Sequence, residues 1–235
     1  MKYILPFIAI FTSSLVDAQS TFLEYFQTMD STNYKCELTI YDTISFWKEI
    51  SPDPLRINEF NYTIKKKNEN KQYFNEAIFL KTFYVFDSLC NFNWVLTNDT
   101  VTILNQKCLS ATTSFRGRSY TAFYAPSLPM NDGPWKFCGL PGLVLKVKSI
   151  DGYLSVEATK ISTNSNVKID LLPYKKLKAI SWAAYSKIFI KTMDNAALKV
   201  KSSMPKDDSN SVYKFKMSST EIIYPKFQTG EGFVF

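Results

Sequence analysis

The side chains that most often catalyse reactions or bind metals are scarce in this sequence of 235 residues. It contains no histidine, which excludes Ser-His-Asp and Cys-His nucleophile pairs and every imidazole metal site. Acid–base chemistry without histidine needs paired carboxylates, and the candidates are Asp132, Asp151 and Glu157. A predicted turn accounts for Asp151, and the other two have no evident partner. We therefore expect a protein that is not an enzyme and that has no metal or cofactor.

The sequence contains four cysteines, Cys36, Cys90, Cys108 and Cys138. None belongs to a Cys-x-x-Cys pair, so neither a zinc ribbon nor a thioredoxin-type motif is indicated. In an exported chain, four cysteines allow up to two disulfides. Cys108 and Cys138 flank one continuous run of predicted strands, and we favour a disulfide between them. Two alternatives remain: some cysteines are buried free thiols, or Cys138 is a thiolate nucleophile activated by a lysine or a helix N-terminus.

The first 18 residues have the pattern of a secretory signal peptide. Lys2 supplies a positive charge, residues 4–16 form a short apolar run, and Ala18 provides a small residue for cleavage before Gln19. Residues 19–235 are then predicted to form a single exported domain, in the periplasm, on the cell surface or secreted. No later segment approaches the roughly 20 apolar residues that a membrane-spanning helix needs, so we expect no such helix.

The formal net charge of +7 favours weak attraction to anionic surfaces. The lysines are scattered, and the one dense run, residues 64–71, also contains asparagine and glutamate. We interpret this run as a solvated loop between strands, and Arg116 and Arg118 as an exposed hairpin tip. Nucleic acid is therefore not an expected partner.

Most of the chain has strand signals. β-Branched and aromatic residues predict strands over residues 34–47, 77–87 and 118–125, and the second of these is apolar enough to be buried on both faces. Residues 92–108 predict a hairpin that turns at residues 97–100. Asp151 and Gly152 predict a type I′ turn between two later strands.

A helical pattern follows in residues 181–197. Trp182, Tyr185, Ile188 and Phe189 share one face of this predicted helix, and Ser181 is suited to its N-cap. The sequence therefore predicts a mainly β (α+β) fold. We expect a curved antiparallel sheet or half-barrel with one amphipathic helix.

Four of the seven glycines fall within residues 133–152, at Gly133, Gly139, Gly142 and Gly152. Leu140-Pro141-Gly142-Leu143 predicts a type II turn, and Gly133-Pro134 predicts a corner before Trp135. The spacing matches neither a P-loop nor a dinucleotide fingerprint. We therefore interpret these glycines as turn formers and not as a phosphate site.

Residues 107–161 resemble the GLPGLI family of exported bacterial proteins. The family hexapeptide stands here as Gly139-Leu140-Pro141-Gly142-Leu143-Val144, with valine for the final isoleucine. Cys108 before an alternating strand, Gly117-Arg118 and Gly133-Pro134 also follow the family pattern, whereas Phe123-Tyr124 replaces the usual Trp-Tyr. The resemblance implies export by Gram-negative bacteria. It implies no reaction, because the family has no assigned activity, and no catalytic residue is carried over.

By architecture alone, the expected fold is similar to LolA-type half-barrels, which bind acyl chains. The first hypothesis is a carrier that holds a lipid or other apolar ligand in a pocket lined by Phe123, Leu143, Leu145 and Trp182. The second is an interaction or structural protein of the cell envelope, with a filled core and an external patch around Trp135. An enzyme, the third hypothesis, would show clustered polar groups in a cleft.

Overall fold

A computed structural model describes residues 20–50, 61–169, 178–203, 220–223 and 225. The predicted signal peptide lies outside this part of the chain. The described elements are β1 (Ser20–Met29), β2 (Thr32–Ile40), β3 (Ile44–Ile50), β4 (Tyr62–Lys66), β5 (Lys71–Ile78), β6 (Lys81–Ser88), β7 (Val95–Ile103), β8 (Gln106–Phe115), β9 (Arg118–Ala125), β10 (Leu143–Ser149), β11 (Leu154–Ser165), β12 (Ile180–Ser181) and the helix α1 (Trp182–Ser202). A short 3₁₀ turn, Lys67–Glu69, joins β4 to β5.

All twelve strands belong to one open, curved sheet. Their spatial order is β12-β6-β5-β4-β3-β2-β1-β11-β10-β9-β8-β7. Neighbouring strands are antiparallel except β12 and β6, which are parallel. The described part of the chain therefore confirms the predicted mainly β fold, a curved antiparallel sheet with one helix.

Residues with positive φ set the tight turns between neighbouring strands. Arg116 and Gly117, at φ 47° and 79°, join β8 to β9. Leu104 and Asn105, at 48° and 61°, join β7 to β8. The hairpin turn predicted at residues 97–100 is therefore wrong, because β7 continues through them with a bulge. Asparagine tolerates the left-handed conformation, which explains the turn at Asn105.

One strand prediction and one further turn prediction are also wrong. Residues 77–87 do not form one strand buried on both faces, because Phe79 and Leu80 form the exposed tip of the β5–β6 hairpin. The loop before β11 is not a type I′ turn, which needs two central residues with positive φ. Only Gly152 has one there, at 73°, and its N–H donates to the carbonyl of Ser149 at 3.2 Å.

The larger hydrophobic cluster of the protein consists mainly of residues from β1, β2 and β8 to β11. Helix α1 packs on β5 and β6 and forms a second hydrophobic cluster with them. The Oγ of Ser181 accepts the N–H of Ala184 at 3.2 Å, which confirms the predicted N-cap. The buried face of the helix consists of Tyr185, Phe189, Met193 and Ala197. Ile188, predicted to share that face, is 38% exposed, because the buried stripe follows strict i,i+4 spacing. In the described ranges, no helix combines the length and apolar character needed to cross a membrane.

Candidate functional site

Residues 126–142 form the loop between β9 and β10 and contain the glycine-rich motif; we call them the motif loop. Lys65 of β4 anchors this loop with a fully buried side chain. Its Nζ donates to Asp132 Oδ1 at 2.8 Å and to the carbonyls of Gly133 at 2.7 Å and Phe137 at 3.0 Å. The interpretation of residues 64–71 as a solvated loop is therefore wrong at Lys65. Its ammonium group is buried, and the three acceptors of the motif loop replace the hydrogen bonds to water that it has lost.

The Lys65–Asp132 ion pair lies almost entirely out of water. Burial lowers the pKa of Lys65, and Asp132 only partly offsets that effect. Burial alone would raise the pKa of Asp132, but Lys65 and Lys67 outweigh it and bring that pKa below its ordinary value. Asp132, a sequence candidate for acid–base chemistry, is thus a partner in a structural ion pair.

A disulfide between Cys90 and Cys138 gives the motif loop a second anchor. The predicted Cys108–Cys138 disulfide is wrong, because Cys108 is fully buried in the larger hydrophobic cluster as a free thiol. Cys36 is also a buried free thiol. The segment after β6 instead brings Cys90 to the motif loop, where Trp94 Nε1 donates to the carbonyl of Cys138 at 2.8 Å. Cys138 therefore has no free thiolate.

Close backbone contact explains the motif's Pro-Gly step. The Gly142 N–H donates to the carbonyl of Leu140 at 2.8 Å, which makes a three-residue turn around Pro141. The predicted type II turn is wrong, because the Leu143 N–H bonds to Leu128 instead. A Cβ on Gly142 would lie 2.7 Å from the carbonyl carbon of Ala125 and closer still to its oxygen. Only glycine fits there.

Replacing Gly142 with alanine is therefore expected to lower the free energy of unfolding by about 2–3 kcal/mol, since the clash is with backbone. Gly152→Ala is the matched control. Its Cβ would meet nothing within 4 Å, and only the positive φ of 73° is unfavourable, by about 1 kcal/mol. Urea unfolding of both variants measures the difference. Equal effects would show that the close approach at Gly142 has no energetic importance.

The four residues predicted to line an apolar pocket are divided between the two hydrophobic clusters. Leu143 and Leu145 are fully buried in the larger hydrophobic cluster, and Phe123 packs against it. Trp182, the first residue of α1, packs against the second cluster. The predicted pocket is wrong because β10 is buried on both faces over Leu143 to Leu145, so its leucines fill a core.

A different cavity, of about 240 Å³, lies against β3, β5, α1, the motif loop and residues 220–223. Its described lining contains seven aromatic residues, three glutamates and no lysine or arginine. The lining residues are Met29, Trp47, Glu49, Asn61, Tyr62, Phe74, Asn75, Glu76, Ala77, Trp135, Tyr153, Tyr185, Phe189, Thr220, Glu221 and Ile223. Trp135 is therefore the one residue of the predicted motif set that reaches this cavity.

Glu49 is a buried carboxylate held by two amide groups. Gln27 Nε2 donates to Glu49 Oε1 at 2.6 Å, and Asn61 Nδ2 donates to Oε2 at 2.7 Å. No lysine or arginine among the described residues pairs with it. Burial raises the pKa of Glu49, and the two amide hydrogen bonds oppose that effect.

Glu76 and Glu221 share Lys136, whose side chain is fully buried. The Nζ of Lys136 lies 2.9 Å from Glu221 Oε2, 3.3 Å from Glu76 Oε1 and 3.4 Å from the centre of the Phe74 ring. Burial raises the pKa of Glu76 to about 7, with Lys136 opposing the rise and Glu221 adding to it. The motif loop thus supplies a cation to both glutamates.

The arginines of the β8–β9 hairpin are not an exposed tip. Arg116 pairs with Asp87 and with Glu221, and its guanidinium lies 3.5 Å from the centre of the Trp182 ring. Arg118 is buried and pairs with Asp151. The prediction is wrong because residues distant in sequence cover both side chains.

Two tryptophans of the cavity wall have unusual features. The indole N–H of Trp47 is buried and has no hydrogen-bond partner among the described residues. Trp135 has a φ of 49°, a left-handed conformation that is rare for a bulky residue and unfavourable by roughly 1–3 kcal/mol. Backbone strain such as that at Trp135 is concentrated at functional sites, and the buried N–H of Trp47 is a donor that a ligand could use. Both features indicate that the cavity is a binding site.

Sequence reasoning missed the glutamates of the cavity, although the sequence contained a signal for two of them. Trp47-Lys48-Glu49 in β3 and Phe74-Asn75-Glu76 in β5 repeat an aromatic-x-Glu pattern. Residues two apart in a strand share one face, so each glutamate lies beside an aromatic ring. The aromatic residues and glutamates of both repeats, Trp47, Glu49, Phe74 and Glu76, line the cavity.

The profile of a family described as proteins of unknown function (Porph_ging) matches residues 115–146. The match includes the hexapeptide of the motif loop and is consistent with the GLPGLI resemblance. No curated protein matches the sequence.

Among solved structures, PNGF-II resembles the chain in its C2 and P21 crystal forms, with TM-scores of 0.56 and 0.57 and sequence identities of 17% and 16%. The likeness covers 74% of this chain but only 33% and 34% of the PNGF-II chains, so this chain spans about a third of their length. At this identity the likeness concerns the fold alone. MucB in complex with MucA(peri) is a weaker likeness, with a TM-score of 0.36, 9% identity and coverage of 66% and 54%. That TM-score is too low to support a conclusion.

Proposed function

We propose that the protein is an exported, non-catalytic binding protein whose ligand occupies the cavity lined by Trp47, Glu49, Phe74 and Trp135. One observation carries this proposal: the cavity combines aromatic walls with two buried polar groups that lack a full set of partners. Within the described ranges, these are the Glu49 carboxylate, which no lysine or arginine pairs with, and the Trp47 N–H, which has no acceptor. A small ligand with apolar and polar parts satisfies both.

The size and lining of the cavity favour such a ligand over a lipid. At about 240 Å³, the cavity lies below the roughly 300–1,000 Å³ of pockets that bind drug-sized molecules. Hydrocarbon against Glu49 or Glu76 would remove water from a carboxylate without replacing its hydrogen bonds. The apolar cargo expected from the sequence therefore suits this cavity less well than a small, partly polar molecule.

The position of Trp135 argues against the second hypothesis, an interaction protein of the cell envelope. That hypothesis predicts a filled core and an external patch around Trp135. Trp135 is half-buried and lines the cavity. It also packs edge-on against Phe137 within the motif loop, with ring centres 5.2 Å apart. Its placement supports a role in holding a ligand more than a role in an exposed docking patch.

An acid–base enzyme is the second candidate, because Glu49, Glu76 and Glu221 cluster in one cavity. A carboxyl group with a pKa of about 7, as at Glu76, is suited to proton transfer near neutral pH. The two candidates differ in the fate of the ligand. A binding protein returns its ligand unchanged, whereas an enzyme converts it.

Native mass spectrometry of the mature protein exported to a periplasm, followed by extraction, tests the proposal. We expect a reproducible added mass that is lost in Ala77→Phe, because Ala77 is an exposed residue of the cavity lining and a larger side chain would obstruct it. Thr102→Phe, at an exposed position of β7, is the matched control and should retain the mass. Equal retention by both variants would show that the ligand binds elsewhere.

A further inference from the structure

Glu49 differs from the other strongly buried carboxylates that the structure describes. Asp132 pairs with Lys65 at 2.8 Å, and Glu221 pairs with Lys136 at 2.9 Å. Glu49 is 9% exposed, and its hydrogen-bond donors in the part of the chain that the structure describes are the amides of Gln27 and Asn61. A buried charge is unfavourable unless an opposite charge and hydrogen bonds compensate it. None of the residues that the structure describes supplies a cation to Glu49.

The hydrogen bonds of Glu49 are those of an ionised carboxylate. Both of its oxygens accept an amide N–H, whereas a protonated carboxyl would use one oxygen as a donor. These two bonds favour the charged form, although burial opposes it. The cavity thus presents a fixed negative charge on a wall where no described lysine or arginine lies.

One of the protein's own lysines, Lys136, is bound by an aromatic ring and carboxylates together. Lys136 Nζ lies over the Phe74 ring and between Glu76 and Glu221. Aromatic rings attract ammonium and guanidinium groups through their faces, by about 0.5–2 kcal/mol. Trp47 and Glu49 on β3 repeat the pairing of Phe74 and Glu76 on β5, but no described lysine serves the β3 pair.

We infer that the ligand carries an ammonium or guanidinium group that pairs with Glu49. A hydrogen-bond acceptor of the same ligand takes the Trp47 N–H. Residues two apart in a strand are separated by roughly 7 Å, so the cation and the acceptor lie close together in one small molecule or one residue. Two sources have this chemistry: a free amino compound, such as an amino sugar, and a lysine or arginine residue of a peptide. The inference rests on the proposed function and specifies its ligand class.

Matched pairs of probes at pH 7 test the charge requirement by calorimetric titration. Glucosamine and glucose represent the free amino compound. Acetyl-Gly-Lys-Gly-amide and the same peptide with an acetylated lysine side chain represent the peptide. We expect the cationic member of one pair to bind at least about tenfold more tightly than its neutral match. The pair that shows the preference identifies the source.

Two variants assign the preference to the residues. Glu49→Gln keeps the shape of the side chain, and rotation of the Gln27 or Asn61 amide restores its hydrogen bonds. The variant should melt like the wild type and lose the preference for the cation. Trp47→Phe removes only the N–H and part of the ring. It should weaken the binding of both probes of a pair without changing the ratio of their affinities.

Three results would overturn the inference: equal affinity for charged and neutral probes, a preference that survives in Glu49→Gln, or no binding of either cationic probe at millimolar concentration. Its failure is distinguishable from that of the proposed function. Neutral probes that bind the wild type and Thr102→Phe but not Ala77→Phe would reject the charge requirement and keep the cavity as the binding site. Binding that Ala77→Phe leaves unchanged would reject the cavity itself.

Discussion

Replacing Lys65 with methionine is expected to lower the free energy of unfolding by about 3–5 kcal/mol. Methionine keeps most of the volume of the stem but leaves Asp132 buried without its closest cation. The carbonyls of Gly133 and Phe137 lose the same donor. Lys67, at 3.5 Å from Asp132 Oδ2, is partly exposed and cannot replace these three bonds.

Lys48→Met is the matched control, in the neighbouring strand β3. Lys48 pairs with Glu37 at 2.9 Å, but both side chains are substantially exposed, and such pairs contribute about 0–1 kcal/mol. Urea unfolding of both variants at pH 7 measures the difference. A loss of less than about 1 kcal/mol in Lys65→Met would show that the motif loop does not depend on this lysine.

The buried lysines connect the motif loop to the cavity. Lys65 of the sheet holds the loop at Asp132 and Gly133. Lys136 of the loop then reaches the glutamates of the cavity, and Trp135 beside it lines the wall. The glycines and prolines of the motif are therefore needed for shape, and that shape places two residues of the candidate site.

The sequence predicted the sheet and the helix because their signals are local. The aromatic residues of β9 and the helical spacing of Trp182, Tyr185 and Phe189 in α1 are patterns within one element. Lys65 shows the limit of this reasoning. It lies in a lysine-rich run that is typical of a solvated loop, and its burial depends on Asp132, 67 residues further along the chain.

The cavity could be predicted only in part, for the same reason. The aromatic-x-Glu repeat in β3 and β5 is visible in the sequence and marks four residues of the lining. The repeat does not reveal that Lys136 lies beside Glu76, nor that Glu49 has no cation among the described residues. Those differences arise because the motif loop brings Lys136 to one strand and not to the other.

The disulfide should have the second large effect on stability. Cys90 and Cys138 are 48 residues apart. A disulfide that closes a loop of this length restricts the unfolded chain and thereby raises the free energy of unfolding by about 4 kcal/mol. Reduction of the wild type should therefore lower the urea midpoint markedly. The Cys90→Ala/Cys138→Ala variant should start at the lower midpoint and show no further change on reduction.

The free thiols provide the control that separates this disulfide from the one predicted at first. A Cys36→Ala/Cys108→Ala variant should keep its full sensitivity to reductant, because neither residue is bonded in the structure. Peptide mapping without reduction should recover Cys90 and Cys138 in one linked fragment. Loss of reductant sensitivity in that variant would instead show that Cys108 is bonded. The motif loop would then be held to the β7–β8 hairpin and not to the segment after β6, and its position over the cavity would change with it.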